Sequence, residues 1–371
     1  MRVNDPLLKA RIFKEAFELG FDLAGVSSIQ PLLHYDYYLR WLSEGRHGTM
    51  NYLRHQAPKR QNPKLVFPGA ESLLVLGMNY FTPHTHSSSP LKGRISRYAL
   101  GEDYHVVVKK QLGKLLHFIR EQKTAADGLC YVDTGSVMEK AWGAATNLGW
   151  MGKHTNLISK HLGSWFFLGV ILLNIPLEPD VPAKNYCGTC RRCMDACPTG
   201  AITDPYVLDS RLCISYLTIE HRGTIPRILR SLIGNRIFGC DLCQEACPWN
   251  RFSRETRETS FFARRECLMP DLIPLARITQ SEFKERFQKS PIYRATRNGF
   301  VRNVVIALGN SGEVEAIPAL ESALTDESAV VRASAAWALS KVSPESARRI
   351  LPVIRKREQD PMVLQEIGEF I

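Results

Sequence analysis

Eight of the ten cysteines in this 371-residue chain fall between Cys187 and Cys247, in a spacing that few folds can use. The first run is Cys187-x2-Cys190-x2-Cys193-x3-Cys197-Pro198. The second is Cys240-x2-Cys243-x3-Cys247-Pro248, with Cys213 standing between the two. Thiols at i, i+3 and i+6 let one tight loop present three thiolates to three corners of a cube. The fourth cysteine, beyond the turn and followed by proline, points away to a neighbouring centre. Crossed ligation of this kind predicts two [4Fe–4S] clusters. The first takes Cys187, Cys190, Cys193 and Cys247; the second takes Cys197, Cys213, Cys240 and Cys243, with Cys213 replacing the cysteine that the second run lacks. Structural zinc also uses Cys-x2-Cys pairs, but rarely three thiolates in successive x2 steps closed by x3-Cys-Pro. A chain with two clusters moves electrons.

The pattern matches that of bacterial two-cluster ferredoxins, displaced by a 26-residue insertion between Cys213 and Cys240. Cys130 and Cys267 have no such partners and read as buried thiols. Residues 1–10 are polar, without a twin-arginine pair or an apolar signal region. The longest apolar run, residues 165–175, is interrupted by Gly169 and too short to span a bilayer. A soluble cytoplasmic protein is therefore expected, where thiols stay reduced and serve metals rather than disulfides. The formal charge of +11 and pI of about 9.2 favour a polyanionic partner, nucleic acid foremost.

Three regions are expected. Residues 1–178 read as an α/β (α+β) cofactor domain: 7–19 and 105–122 have helical spacing, and 21–26, 72–78 and 166–173 are apolar runs that suit buried strands. Residues 82–89 form a polar loop, and Pro176, Pro179 and Pro182 mark a linker. Residues 179–255 are the ferredoxin-like two-cluster domain. Residues 256–371 are all-α: the stretch 300–309 is echoed at 330–339, with the Ala-Leu pairs 31 residues apart. Helices at this interval resemble HEAT-like repeats. Residues 316–324 supply another helix, and Pro352 is expected to begin one more.

No G-x-G-x-x-G or P-loop motif names a cofactor for the first domain. Asp103-Tyr104-His105 approaches the Asp-x-His of histidine-ligated corrinoid proteins, but Val108 stands where that motif needs glycine. A capping Asp and a surface His are expected there instead. Taken together, Tyr98-Ala99-x3-Asp103-Tyr104-His105, Val132-Asp133-Thr134-Gly135-x2-Met138-Glu139-Lys140 and the stretch Gly149-Trp150-Met151-Gly152-Lys153-His154-Thr155-Asn156-Leu157-Ile158 resemble the epoxyqueuosine reductase family. The ferredoxin-type cysteines and HEAT-like tail follow in the order that family has, so the resemblance covers nearly the whole chain.

The resemblance implies an oxidoreductase that reduces the epoxide of epoxyqueuosine, at the tRNA wobble position, to queuosine, the last step of queuosine biosynthesis. It implies cobalamin beside the two clusters, with electrons passing through the clusters to cobalt. An external flavodoxin- or ferredoxin-like donor would supply them. By the same resemblance Asp133 is the proton donor. It follows an apolar stretch, and burial against the corrin is expected to raise its pKa. Tyr98, Asn156, Leu157, Ser159, Ser215, Asp241 and Leu242 are the expected cobalamin contacts, with no protein histidine on cobalt. Basic runs at 211–236 and 284–302 place Arg222, Lys284, Arg294, Arg297 and Arg302 as tRNA contacts. Tyr104, Tyr216 and Trp249 are candidates to stack the anticodon base. A monomer without membrane attachment is expected. Two other readings compete: a corrinoid reductase of small halides or epoxides, and an electron carrier that docks through its helical repeats.

Overall fold

In a computed structural model of the chain, residues 6–30, 32, 35–85 and 87–370 are described. His86, inside the polar loop expected at 82–89, and the first five residues of the polar N-terminus lie outside them. The N-terminal region is built on one sheet in the order Leu23–Ser28, Ser72–Asn79, Phe166–Leu173, Gly128–Tyr131, every neighbouring pair antiparallel. Alternation sorts its side chains onto two faces. Leu74, Leu76, Met78 and Ile171 meet the helices Pro6–Glu18 and Tyr104–Gln122, whereas Leu73, Val75, Val170 and Leu172 meet Trp142 and Leu157 on the other side. Both faces are covered, which is why the central strands read as unbroken apolar runs.

The linker prolines surround an anchored segment. Asp180 accepts from Val26 N at 2.8 Å and from Lys9 Nζ at 2.6 Å, pinning the chain along the edge strand. Beyond it the cysteine runs sit on two short helices, Arg192–Asp195 and Leu242–Glu245. Strand Arg236–Phe238 pairs in parallel with Arg94–Ile95, tying the second run to the first region. One apolar core joins Ile95 and Ala99 to Ile214, Phe238 and the C-terminal helices.

Those helices include Thr296–Ser311, Ile317–Ala323, Ala329–Val342, Pro344–Arg355 and Pro361–Gly368. The repeated Ala-Leu pairs face each other across the first and third, and a Cβ on Gly309 would lie 2.8 Å from that of Ala338. The expected helix start at Pro352 is corrected: the helix begins at Pro344 and runs through Pro352. Its start signal is Ser343, whose hydroxyl accepts from Ser346 N at 3.1 Å.

Candidate active site and cluster-binding thiols

Strand Gly128–Tyr131 ends at buried Val132, and the chain then turns at Asp133 with φ of 56°. A non-glycine residue in the left-handed region costs energy and marks a backbone held by its surroundings. The turn aims the carboxylate at the start of helix Tyr104–Gln122. Tyr104 donates its hydroxyl to Asp133 Oδ2 at 2.7 Å, and His105 Nε2 lies 3.4 Å from the same oxygen. The other His105 nitrogen, Nδ1, is 2.7 Å from Asp103 Oδ1, which also caps the helix by accepting from His105 N at 3.0 Å. Tyr104 is held flat between Phe167, at 4.2 Å, and His105, at 4.1 Å.

Asp103 is thus the expected cap. His105 departs from the surface residue the sequence suggested, because it is half-buried between two carboxylates. Desolvation alone would lower its pKa, but Asp103 and Asp133 outweigh it and raise it to about 9. Asp133 shows the converse. Desolvation pushes its pKa up, yet His105, Tyr104 and the charge of Lys140 hold the carboxyl below its ordinary value. At neutral pH the proton of this pair resides on the imidazole.

Lys140 forms the opposite wall. It comes from helix Glu139–Ala144 and donates to Asn156 Oδ1 at 2.7 Å. Desolvation lowers its pKa, countered by the neighbouring charges of Asp133, Cys243, Glu139 and Cys213. Lys140 therefore lies within electrostatic reach of Asp133, Cys213 and Cys243. Glu139 beside it is pushed up to about 7 by burial and by Asp133. The ring of Tyr98 closes the same space, 6.1 Å from Tyr104 and 6.0 Å from Phe238.

The other expected cobalamin contacts divide. Asn156, which accepts from Lys140, and Tyr98 are half-buried beside the Asp133 turn, and Ser215 and Leu242 are half-buried beside cluster cysteines. Asp241 is buried, taking a hydrogen bond from Ser96 Oγ and another from Arg97 N at 2.7 Å, so its carboxylate ties the second run to the first region. Leu157 and Ser159 offer no exposed side chain. Leu157 is packed into the core below Trp142, and Ser159 is 1 % exposed beside its bridge to Gly163.

All ten cysteines are free thiols. Around Cys193 stand the thiols of Cys247, Cys187 and Cys190, and Cys247 in turn feels Cys187 and Cys190. Cys213 feels Cys197, Cys240 feels Cys213, and Cys243 feels Cys213 and Cys240. Cys243 also neighbours Cys193, so the thiols of the two runs adjoin. Among the described residues no three His, Cys, Asp or Glu side chains converge as the ligands of a single ion do. Of the remaining two, Cys267 is buried and its thiol is pushed up to about 12 by desolvation, while Cys130 is only half-buried.

The basic runs fare differently from the expectation. Lys284 is exposed. Arg222 and Arg294 are exposed, but Arg222 donates to the carbonyls of Ile219, Ala295 and Arg294, and Arg294 forms a two-pronged pair with Glu220. Arg297 and Arg302 are buried and are corrected as phosphate contacts. Arg297 pairs with Asp326 at 2.6 Å. Arg302 donates to the carbonyls of Leu217, His221 and Gly223 and to Asn303. Desolvation, with Arg222 and Arg230 nearby, pushes it down to about 9. Arg302→Ala would leave three buried carbonyls without donors. We expect a loss of about 2–4 kcal/mol in chemical denaturation, with RNA affinity unchanged in the folded fraction. Tyr216 is likewise corrected as a stacking platform, because it is buried with its hydroxyl on Thr49. Trp249 packs on Trp150 at 4.9 Å, and Tyr104 is sandwiched at Asp133. The residue that the basic runs did not suggest is Tyr52, whose ring lies 6.0 Å below the Arg294 guanidinium near Asp133.

The family model described as epoxyqueuosine reductase QueG matches residues 60–134, a 4Fe-4S double cluster binding domain matches 186–250, and HEAT repeats match 300–369. The chain is 43% identical over 339 residues to an epoxyqueuosine reductase of Xanthomonas campestris, covering 90% of this chain and 95% of that protein. It is 37% identical over 352 residues to that of Escherichia coli, covering 91% and 92%. Among solved structures, an epoxyqueuosine reductase with an epoxyqueuosine-modified tRNA-Tyr stem loop superimposes with a TM-score of 0.91 at 31% identity, covering 98% of each chain. A Bacillus subtilis epoxyqueuosine reductase, captured with its catalytic aspartate loop swung out of the active site, gives 0.91 at 29% identity with the same coverage.

Proposed function

Since the chain belongs to the epoxyqueuosine reductase family, we propose that the cavity between Asp133, Lys140 and the second cysteine run is where its epoxide substrate is reduced. The protein is an oxidoreductase that converts epoxyqueuosine in tRNA to queuosine, using [4Fe–4S] clusters. Removing the epoxide oxygen takes two electrons and two protons and releases water. The observation that carries the reading is the placement of one carboxylate, poised by Tyr104 and His105, across from Lys140 and the thiols of Cys213 and Cys243.

Cobalamin fits this cavity. Its walls carry half-buried Tyr98 and Asn156, and the buried Oε1 of Glu139 has no hydrogen-bond partner, which suits the amide-rich edge of a corrin. When bound and reduced, cobalamin supplies a strong nucleophile for the epoxide carbon. The chain's own residues manage protons and position. Asp133 faces the leaving oxygen and passes it a proton held by His105, so that hydroxide need not depart unprotonated. Asp103 fixes the imidazole through Nδ1, and Tyr104 holds the carboxylate oxygen in place. In this arrangement His105 serves the proton rather than cobalt. Lys140, bound to Asn156, keeps positive charge beside the site of developing oxyanion charge.

Cys187, Cys190, Cys193 and Cys247 would hold the outer cluster, and Cys197, Cys213, Cys240 and Cys243 the inner one, beside Lys140. Reducing equivalents come from an external one-electron carrier. Lys284, Arg222, Arg294 and Tyr52 would receive the anticodon stem loop near the cavity, with affinity falling as salt rises. Among the described residues no helix is long and apolar enough to cross a membrane.

The test is direct. Cofactor-loaded protein, given a chemical reductant, is expected to remove one oxygen from an epoxyqueuosine-containing anticodon stem loop, read by nucleoside mass spectrometry, and to leave a haloarene untouched. Conversion of the haloarene alone would reject the reading.

A further inference from the structure

Most arginines of the two basic runs are turned inward or paired, yet the chain carries a net charge of +11. Unused positive charge is found instead over the first cysteine foursome. Arg192 and Arg251 are exposed and form no ion pair among the described residues. Both border a cleft of about 420 Å³ that reaches Cys247, with buried Arg97 in its wall. Across the same foursome, Lys160 lies 4.3 Å from the centre of the Tyr186 ring, next to Cys187, and Lys184 is exposed close by. Arg191 adds a further cation, loosely paired with Asp195 at 3.9 Å, and Glu245 is an acid lining the cleft.

Between these cations lies an apolar centre. Tyr186 and Phe252 are 40% and 41% exposed, and Trp249 packs between them at 5.8 Å and 5.9 Å. The thiols of Cys187 and Cys190 are half-exposed beneath this rim. An aromatic centre ringed by like charge has the anatomy of a transient protein interface, and charge complementarity sets how fast such partners meet. The Asp133 cavity instead faces the other foursome, through Lys140, Cys213 and Cys243.

We propose that this rim, with Arg192 and Arg251 at its cleft and Lys160 and Lys184 opposite, docks a small acidic protein that delivers single electrons to the cluster held by Cys187, Cys190, Cys193 and Cys247. The proposal rests on the cluster assignment above and deepens it. In each encounter the reduced carrier loses one electron and is oxidised, the cluster gains it, and no bond forms or breaks.

Reduced flavodoxin serves as the probe, with bleaching of the iron–sulfur absorbance of the holoprotein followed by stopped flow. For the natural sequence, the second-order rate should fall as salt rises. In Arg192→Glu/Arg251→Glu it should fall by about tenfold or more at low salt. Lys160→Glu/Lys184→Glu should act in the same direction. Reduction by the small cation methyl viologen, iron content and stem-loop affinity should be unchanged in both variants. A flavodoxin rate that ignores both double substitutions overturns the proposal. So does a stem-loop affinity that drops while the flavodoxin rate holds, which would assign the rim to RNA. If flavodoxin fails to reduce even the natural protein while viologen still drives stem-loop turnover, the docking proposal falls and the proposed function stands.

Discussion

Asp133→Asn is expected to slow epoxide reduction by about 10²–10⁴-fold, the range that removal of a positioned general acid costs. Asparagine preserves the volume of the side chain and can still accept from the Tyr104 hydroxyl, now 2.7 Å from Oδ2. It cannot take a proton from His105 and hand it on. Neither cysteine foursome contacts the substituted carboxylate, so iron content and the visible cluster spectrum should be those of the natural protein. Cobalamin binding should persist, since Tyr98, Asn156 and Lys140 remain. One side effect is expected: His105 loses one of the two carboxylates that raise its pKa, so its proton should be held less tightly. A variant that retains full single-turnover activity would remove Asp133 from the chemistry.

Cys213→Ala is expected to lose half of the iron and essentially all turnover. Cys213 belongs to the foursome with Cys197, Cys240 and Cys243, and it is the member that stands outside either run. The other foursome is assembled from Cys187, Cys190, Cys193 and Cys247 and does not need it. The surviving cluster should keep its absorbance and accept electrons from viologen. With the inner cluster gone, the thiol group facing Lys140 and Asp133 has nothing to relay. Cys267→Ala is the matching control. That thiol is buried in the C-terminal core, so its loss should cost stability of about 1–2 kcal/mol while leaving iron and turnover alone. Full iron in Cys213→Ala would break the partition of ligands.

The cysteine motif was legible because the spacing within each run brings its thiols round one tight loop, and the proline-flanked last cysteine of each run marks the crossing to the other centre. The central strands were legible for a similar reason, since Ser72–Asn79 and Phe166–Leu173 are buried on both faces and so carry unbroken apolar runs. Asp133 was found only through resemblance, as a lone Asp before Thr-Gly looks like any turn. What escaped was decided by distant partners. Nothing near Arg302 in the sequence reveals that its guanidinium meets the carbonyls of Leu217, His221 and Gly223, and a run of arginines reads as a basic surface whether or not it is buried. The contact between His105 and Asp133 escaped for the same cause, because His105 comes from 28 positions earlier in the chain. At Pro352, an apolar cluster after a proline suggested a start, whereas Ser343-Pro344 is the true cap and the proline is carried inside the helix.

The central claim is that a single proton, resting on His105 beside an ionised Asp133, is delivered to the leaving oxygen. The pH dependence of single-turnover stem-loop reduction tests it most directly. A group whose pKa is raised keeps its proton below the raised value and loses it above. The rate should therefore hold across neutral pH and fall as pH rises through about 9. In His105→Gln the rate should be low throughout, with that descending limb gone. A limb near 9 that survives in His105→Gln, or a rate in the natural protein that already falls between pH 6 and 7 as for an unperturbed imidazole, would contradict the account.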